Sequence, residues 1–268
     1  MEVVIHDLME NDHLTKIILE KFLEADPFTQ ENILETVSFT CSFDVYRQKF
    51  ANNEKVIEMM LSQVQSISMK VTYFTIKICR QLAQDKTSIE KLQGNNLRLT
   101  EKLIIAFKWL DKKIDNENIV LKANNETESP SSKEPSAKTG DEGGRINTLL
   151  NIASDNGNLA PDQKAEIYTL VFREISKCFQ FILKYYETHK KLLDEAQNSD
   201  RIKNHSIETD IIETIVKLGK QTKDSQTMLN AATCLAHITE VLHCNPEVAS
   251  PDAIDFMIVM LQDAKNLN

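Results

Sequence analysis

Apolar residues fall three and four apart along almost the whole chain. Leu14, Ile17, Ile18, Phe22 and Leu23 form one such stripe. Val56, Met59, Met60 and Val64 form a second, with polar Gln63 inside it, and Val71, Phe74, Ile78 and Leu82 a third. This spacing stacks side chains on one face of an α-helix. Helix starts are expected at Asp26-Pro27, Thr209-Asp210 and Ser250-Pro251-Asp252, because a Pro in a first turn forfeits no helical hydrogen bond. One segment breaks the pattern. Residues 122–144, KANNETESPSSKEPSAKTGDEGG, hold Ala as their only apolar type. They cannot bury enough surface to offset their chain entropy and are expected to be disordered.

The apolar pattern also repeats. Shifting residues 34–64 by 42 positions lays Leu34 on Ile76, Cys41 on Ala83, Phe50 on Leu92, Ile57 on Leu99, Leu61 on Leu103 and Val64 on Ala106. Near the C-terminal end Ile212, Ile215 and Val216 fall on Ile254, Met257 and Ile258 at the same shift. The stretch 215–239, IVKLGKQTKDSQTMLNAATCLAHIT, holds an apolar helix, a polar loop and a longer helix rich in small residues. It resembles the armadillo repeat, whose last helix ends on a pattern AAxALxNLA. Ala231, Ala232, Cys234, Leu235, Ile238 and Thr239 take the small and apolar positions, with His237 where the family prefers Asn. The ending recurs as TLLNIAS (148–154), and more weakly as TIKICRQLA (75–83) and TVSFTCS (36–42). Cys41 and Ala83 are 42 apart, Ala83 and Ala153 are 70 apart, and Ala153 and Thr239 are 86 apart. The long gap places residues 122–144 as an insertion between the second and third helices of one repeat. The double gap predicts a diverged repeat ending near Ala196.

The resemblance implies an all-α, right-handed superhelical solenoid of about five to six three-helix repeats, some incomplete, forming one domain over residues 1–268. A HEAT-like stack and a closed bundle are the alternatives. It also implies that third helices line a concave groove. The ladder positions that hold a partner are then Glu35 and Phe39, Lys77 and Gln81, Asn147 and Asn151, and Thr233 and His237. An amide suits such a ladder because it can pair with both N–H and C=O groups of an extended peptide. Importin-α-like receptors pair these Asn residues with Trp. The single Trp here, Trp109, falls on a second helix and is expected in the core or at its rim, so a nuclear-signal ladder is not expected.

Composition narrows the function. Gly and Pro number six each in 268 residues, too few for the frequent turns of a strand-rich fold. Net charge is −9, and residues 1–35 hold nine acids against Lys16 and Lys21. That balance argues against nucleic acid, whose binding needs clustered Lys and Arg. Five cysteines without a CxxC pair are not a disulfide framework, and no leader or membrane-spanning run is evident. The expected location is a reducing compartment, cytoplasmic or nuclear. No phosphate-binding loop, zinc-protease motif or nucleophile elbow occurs. Cys234, His237, His243 and Cys244 are the one dense group of metal-ligand types, but Cys234 holds a core position of the repeat. No enzyme activity, metal or cofactor is expected. The expected role is a protein-interaction scaffold or adaptor. The alternative, also implied by resemblance, is a co-chaperone that clamps a chaperone's nucleotide-binding domain. Ser129 and Thr139 are candidate phosphosites in the insertion, and the apolar segment 253–264 is a candidate for self-association.

Overall fold

Helix begins at Pro27 because Asp26 prepares it. The Asp26 carboxylate accepts the Thr29 N–H at 3.1 Å and the Thr29 hydroxyl at 2.6 Å, satisfying a donor that the first turn leaves open. The computed structural model describes residues 21–93, 98–117, 119, 121, 148, 150, 159–188, 201–222, 224–242 and 251–266. Among the described residues there are helices and no strands. They are α1 (Pro27–Cys41), α2 (Asp44–Ala51), α3 (Glu54–Leu61), α4 (Met69–Leu82), α5 (Lys86–Leu92), α6 (Leu99–Glu117), α7 (Pro161–Thr188), α8 (Arg201–Gln221), α9 (Ser225–Leu242) and α10 (Pro251–Asn266). The chain is all-α, as its apolar spacing predicts.

The 42-residue spacing reappears in the helix boundaries. The first residues of α1 and α4 are 42 apart, and so are those of α2 and α5. The caps obey it too: Ser68 stands 42 residues after Asp26 and accepts the Val71 N–H at 3.3 Å. All twelve side chains paired by the shift, from Leu34 and Ile76 to Val64 and Ala106, are buried. Sequence equivalence thus becomes equivalence of burial over residues 34–106.

The helices join in two series of contacts. In the first, α1 packs along α4, α4 along α7, and α7 along α9. In the second, α6 packs on α8 and α8 on α10, with α8 also lying against α9. A single apolar core runs through both, with Phe22, Phe107, Tyr168, Phe172, Phe179 and Phe256 among its largest members. Trp109 lies half-buried at its edge, with the Lys113 ammonium 5.0 Å from the ring centre. Several polar groups taken inside are paired across helices. Ser68 donates to buried Glu31 at 2.6 Å, Asn230 donates to Ser176 at 3.0 Å, and Asp111 receives both Lys217 and Gln221. Partnering of this kind is what makes such burial tolerable.

Several expectations change. Thr209-Asp210 does not start a helix but lies inside α8, where the Asp210 carboxylate takes the Lys108 ammonium at 2.7 Å. A capping dipeptide can stay in a helix interior when a neighbour satisfies it in this way. Phe22 is buried as expected, whereas Leu23 is 62% exposed. At the C-terminal end Ile212, Ile215 and Val216 are buried, but their counterparts Ile254 and Ile258 are exposed and Met257 only half-buried. Leu14, Ile17, Ile18, the insertion 122–144 with Ser129 and Thr139, and the expected repeat end near Ala196 lie outside the described residues.

Candidate interaction face

Each helix of the first series has an inward side marked by a thiol. Cys41, Cys79, Cys178 and Cys234 stand on α1, α4, α7 and α9 respectively, and all four are fully buried. Burial in apolar surroundings raises their thiols: Cys41 and Cys79 are pushed up to about 12, and Cys178 and Cys234 also rise. Thiolate is the reactive form, so these groups are chemically silent in the folded chain. A Cys244→Ser variant tests this. At pH 8 the native protein is expected to leave Cys41, Cys79, Cys178 and Cys234 unlabelled by a chromogenic disulfide reagent, and to release all of them in denaturant. Rapid labelling of the native variant would contradict the packing. Cys234 instead donates to the Ser176 carbonyl at 3.7 Å, and among the described residues no group of His, Cys, Asp and Glu is arranged to hold a metal. His243 and Cys244, the other half of that sequence cluster, lie outside the described residues.

Phe39 and Lys77, two of the expected ladder residues, stand two positions before the thiols of α1 and α4 and so on the opposite sides of those helices. On α1, Phe39 is 50% exposed and meets Phe43 edge-on at 5.6 Å, while Phe43 meets Tyr46 at 6.3 Å. Glu35, one turn earlier, is half-buried and receives the Lys70 ammonium of α4 at 3.2 Å. On α4, the Lys77 ammonium rests 5.6 Å from the Tyr73 ring centre and 5.7 Å from that of Phe74. Burial holds this amine below its usual range, the charges of Glu174 and Glu35 offset part of that, and Arg80 adds to it. On α9, Thr233 and His237 are half-buried, and the Thr233 hydroxyl donates to the Leu229 carbonyl at 2.8 Å. Leu229, 55% exposed and one turn before Thr233, continues the same stripe.

Gln81 is the exception among the described ladder residues. It was expected beside Lys77 at the Asn position, yet it is 6% exposed, and its side-chain carbonyl has no partner among the described residues. The reason lies in α4, which packs against α1, α7 and α2, so most of its residues are buried. Asn147 and Asn151 lie outside the described residues. The helix that meets both α4 and α9 is α7, residues 161–188.

Sequence reasoning therefore missed α7's contribution. Its Lys177 ammonium accepts nothing; it donates to the Gln180 side-chain carbonyl at 2.7 Å and lies 5.4 Å from the Phe181 ring centre. Glu174, one turn earlier, is ion-paired with Arg80 of α4. A signal was available. Tyr73/Lys77, Trp109/Lys113 and Lys177/Phe181 are all aromatic–lysine pairs four residues apart, the spacing that brings side chains together on one helix face.

The face is thus a mixed one, with an aromatic corner at Phe39, aromatic-supported lysines in the middle and an apolar–polar stripe on α9. No helix among the described residues is long and apolar enough to cross a membrane. Comparison with protein-family models, with curated proteins and with solved structures returns no match.

Proposed function

We propose that this chain is a non-enzymatic protein-interaction scaffold or adaptor, binding a peptide or protein partner along the outward sides of α1, α4, α7 and α9. The observation that carries the reading is a two-sided pattern. Successive helices of one series bury a thiol in the core while Phe39 and Leu229 are exposed and Lys77 and Lys177 half-buried. Exposed aromatic and apolar groups interleaved with charges have the composition of recognition surfaces. On this reading the chain is an armadillo-like solenoid. The 42-residue recurrence of caps, helix starts and buried side chains supports it, because stacked repeats share one core while leaving a continuous surface.

Position-specific photo-crosslinking tests the reading. A benzophenone side chain is placed at Phe39, or at exposed Lys112 on α6 as the control. In cell lysate, the Phe39 probe is expected to crosslink a discrete set of proteins that the Lys112 probe does not, and excess unlabelled chain should compete. Identical, non-competed products from both probes would end the proposal.

A further inference from the structure

Not every cation along the first series has a carboxylate partner among the described residues. Lys70 is paired with Glu35, Arg80 with Glu174, and Arg173 with Asp224 at 2.7 Å. Lys77 and Lys177 remain. Among the described residues neither ammonium is ion-paired with a carboxylate, and each rests against aromatic rings of its own helix. An ion pair links their helices: Arg80, one turn after Lys77 on α4, binds Glu174, one turn before Lys177 on α7. Both lysines are half-buried. Desolvating an ammonium is unfavourable, and a ring face compensates only part of the lost hydration. In a chain of net charge −9, two cations held this way and left without an internal carboxylate make a local site of opposite sign. The exposed Phe39 ring lies on α1, the other neighbour of α4.

We infer that this face binds an extended acidic segment of another protein, which sets carboxylates on Lys77 and Lys177 and an apolar side chain against Phe39. The inference rests on the interaction role proposed above and names its partner's chemistry. Neighbouring helix axes are about 8–10 Å apart, and an extended chain advances about 3.3 Å per residue. Two acidic residues about three positions apart therefore reach from α4 to α7, with the apolar residue about three positions beyond on the α1 side. A nucleic acid is a poorer fit, since phosphate binding gains strength from many clustered cations, whereas among the described residues the cations here without a carboxylate partner are Lys77 and Lys177.

The test uses the whole chain and three fluorescein-labelled peptides of about 12 residues in a Gly/Ser/Ala background, long enough to span these helices. One carries two Glu three apart and a Leu three further on, one has Gln in place of Glu, and one has Lys. At low salt the Glu peptide is expected to bind about tenfold or more tightly than the Gln peptide, with the Lys peptide weakest. The double variant Lys77→Glu/Lys177→Glu should lose about tenfold or more in affinity, while Lys77→Arg/Lys177→Arg and Lys112→Glu stay within about threefold. Melting curves of the variants confirm that each remains folded. Equal binding of the Glu and Gln peptides, or an equal loss in Lys112→Glu, overturns the acidic partner. Library selection separates this failure from failure of the interaction role. Neutral or basic winners that lose binding in Phe39→Arg overturn the acidic partner alone, and winners indifferent to Phe39→Arg overturn both.

Discussion

Replacing Asp224 with Ala is expected to lower stability by about 3 kcal/mol, which for a chain of this size lowers the melting temperature by roughly 6–12 °C. Two functions meet on this carboxylate. It caps α9, accepting the Thr227 N–H at 2.9 Å and the Thr227 hydroxyl at 2.7 Å. It also holds the Arg173 guanidinium of α7 with two hydrogen bonds, at 2.7 and 3.2 Å. The cap alone is worth about 0.5–2 kcal/mol. Removing one member of a buried pair costs about 3–5 kcal/mol, but Arg173 keeps 26% of its side chain in solvent while Asp224 keeps 2%, so the surviving cation can hydrate and the lower end applies. Asp224→Asn divides the two functions, because Asn caps as well as Asp yet carries no charge. It should lose the ion pair and keep the cap, falling between the native chain and Asp224→Ala. The same site sets a pH dependence. Burial would raise the Asp224 carboxyl, but hydrogen bonds from Arg173 and Thr227 and the Arg173 charge outweigh it and hold it below the usual range. A carboxyl lowered in the folded state stabilises above its unfolded pKa of about 3.9, and that contribution fades as pH falls through the folded value. Below pH of about 4 the gap between native and Asp224→Asn proteins should therefore close. Thermal melts at neutral and acid pH decide this, and an Asp224→Ala protein that melts with the native one would refute the assignment.

What was legible in the sequence is what depends on neighbours along the chain. Helix content follows from apolar spacing, and α1 starts at Pro27 because Asp26 and Thr29 lie within one turn. The 42-residue shift was legible between residues 34 and 106, where every paired position is buried. Contacts between distant segments were not. Glu35, Phe39 and Lys77 fit the ladder pattern and are exposed or half-buried. Gln81 satisfied the same pattern, but the packing of α1 and α7 against α4 buries it. The role of α7 is hidden in the sequence because it lacks the small-residue pattern found at 36–42, 75–83 and 231–239. Its Lys177 and Glu174 belong to the face only through the contacts of α7 with α4 and α9. Within the stretch that resembles an armadillo ending, Ala231 and Cys234 are buried and Ala232 is half-buried. Such an ending has no power to say which helix lies next to which, because stacking order is not written in a local motif.

Gly219→Ala illustrates the same limit with the opposite sign from intuition. Within a helix, replacing Gly by Ala normally stabilises by about 0.8–1.0 kcal/mol, because Ala loses less backbone entropy on folding. Gly219 lies in the last turns of α8, yet the substitution is expected to destabilise by about 1–3 kcal/mol. The cause is Phe256 of α10, which is 1% exposed. A Cβ on Gly219 would fall far inside contact distance of its ring atoms Cζ and Cε2. The ring is rigid and enclosed, so it can yield only by leaving its rotamer or by lifting α10 from α8. Either movement also disturbs Ala253, fully buried on the same helix, and the ion pair in which Lys220 donates to Asp252 at 2.6 Å. Phe256→Ala removes the obstruction but leaves a cavity, at about 3–5 kcal/mol. In the double variant the new methyl group enters space the ring has left. The double variant should therefore be more stable than the sum of the single losses predicts, by about 1–2 kcal/mol. Hydrogen exchange gives the local readout: amides of α10 should exchange faster in Gly219→Ala, while those of α1 and α4 keep their native protection. If Gly219→Ala is instead more stable than the native chain, α10 does not pack on α8 through Phe256.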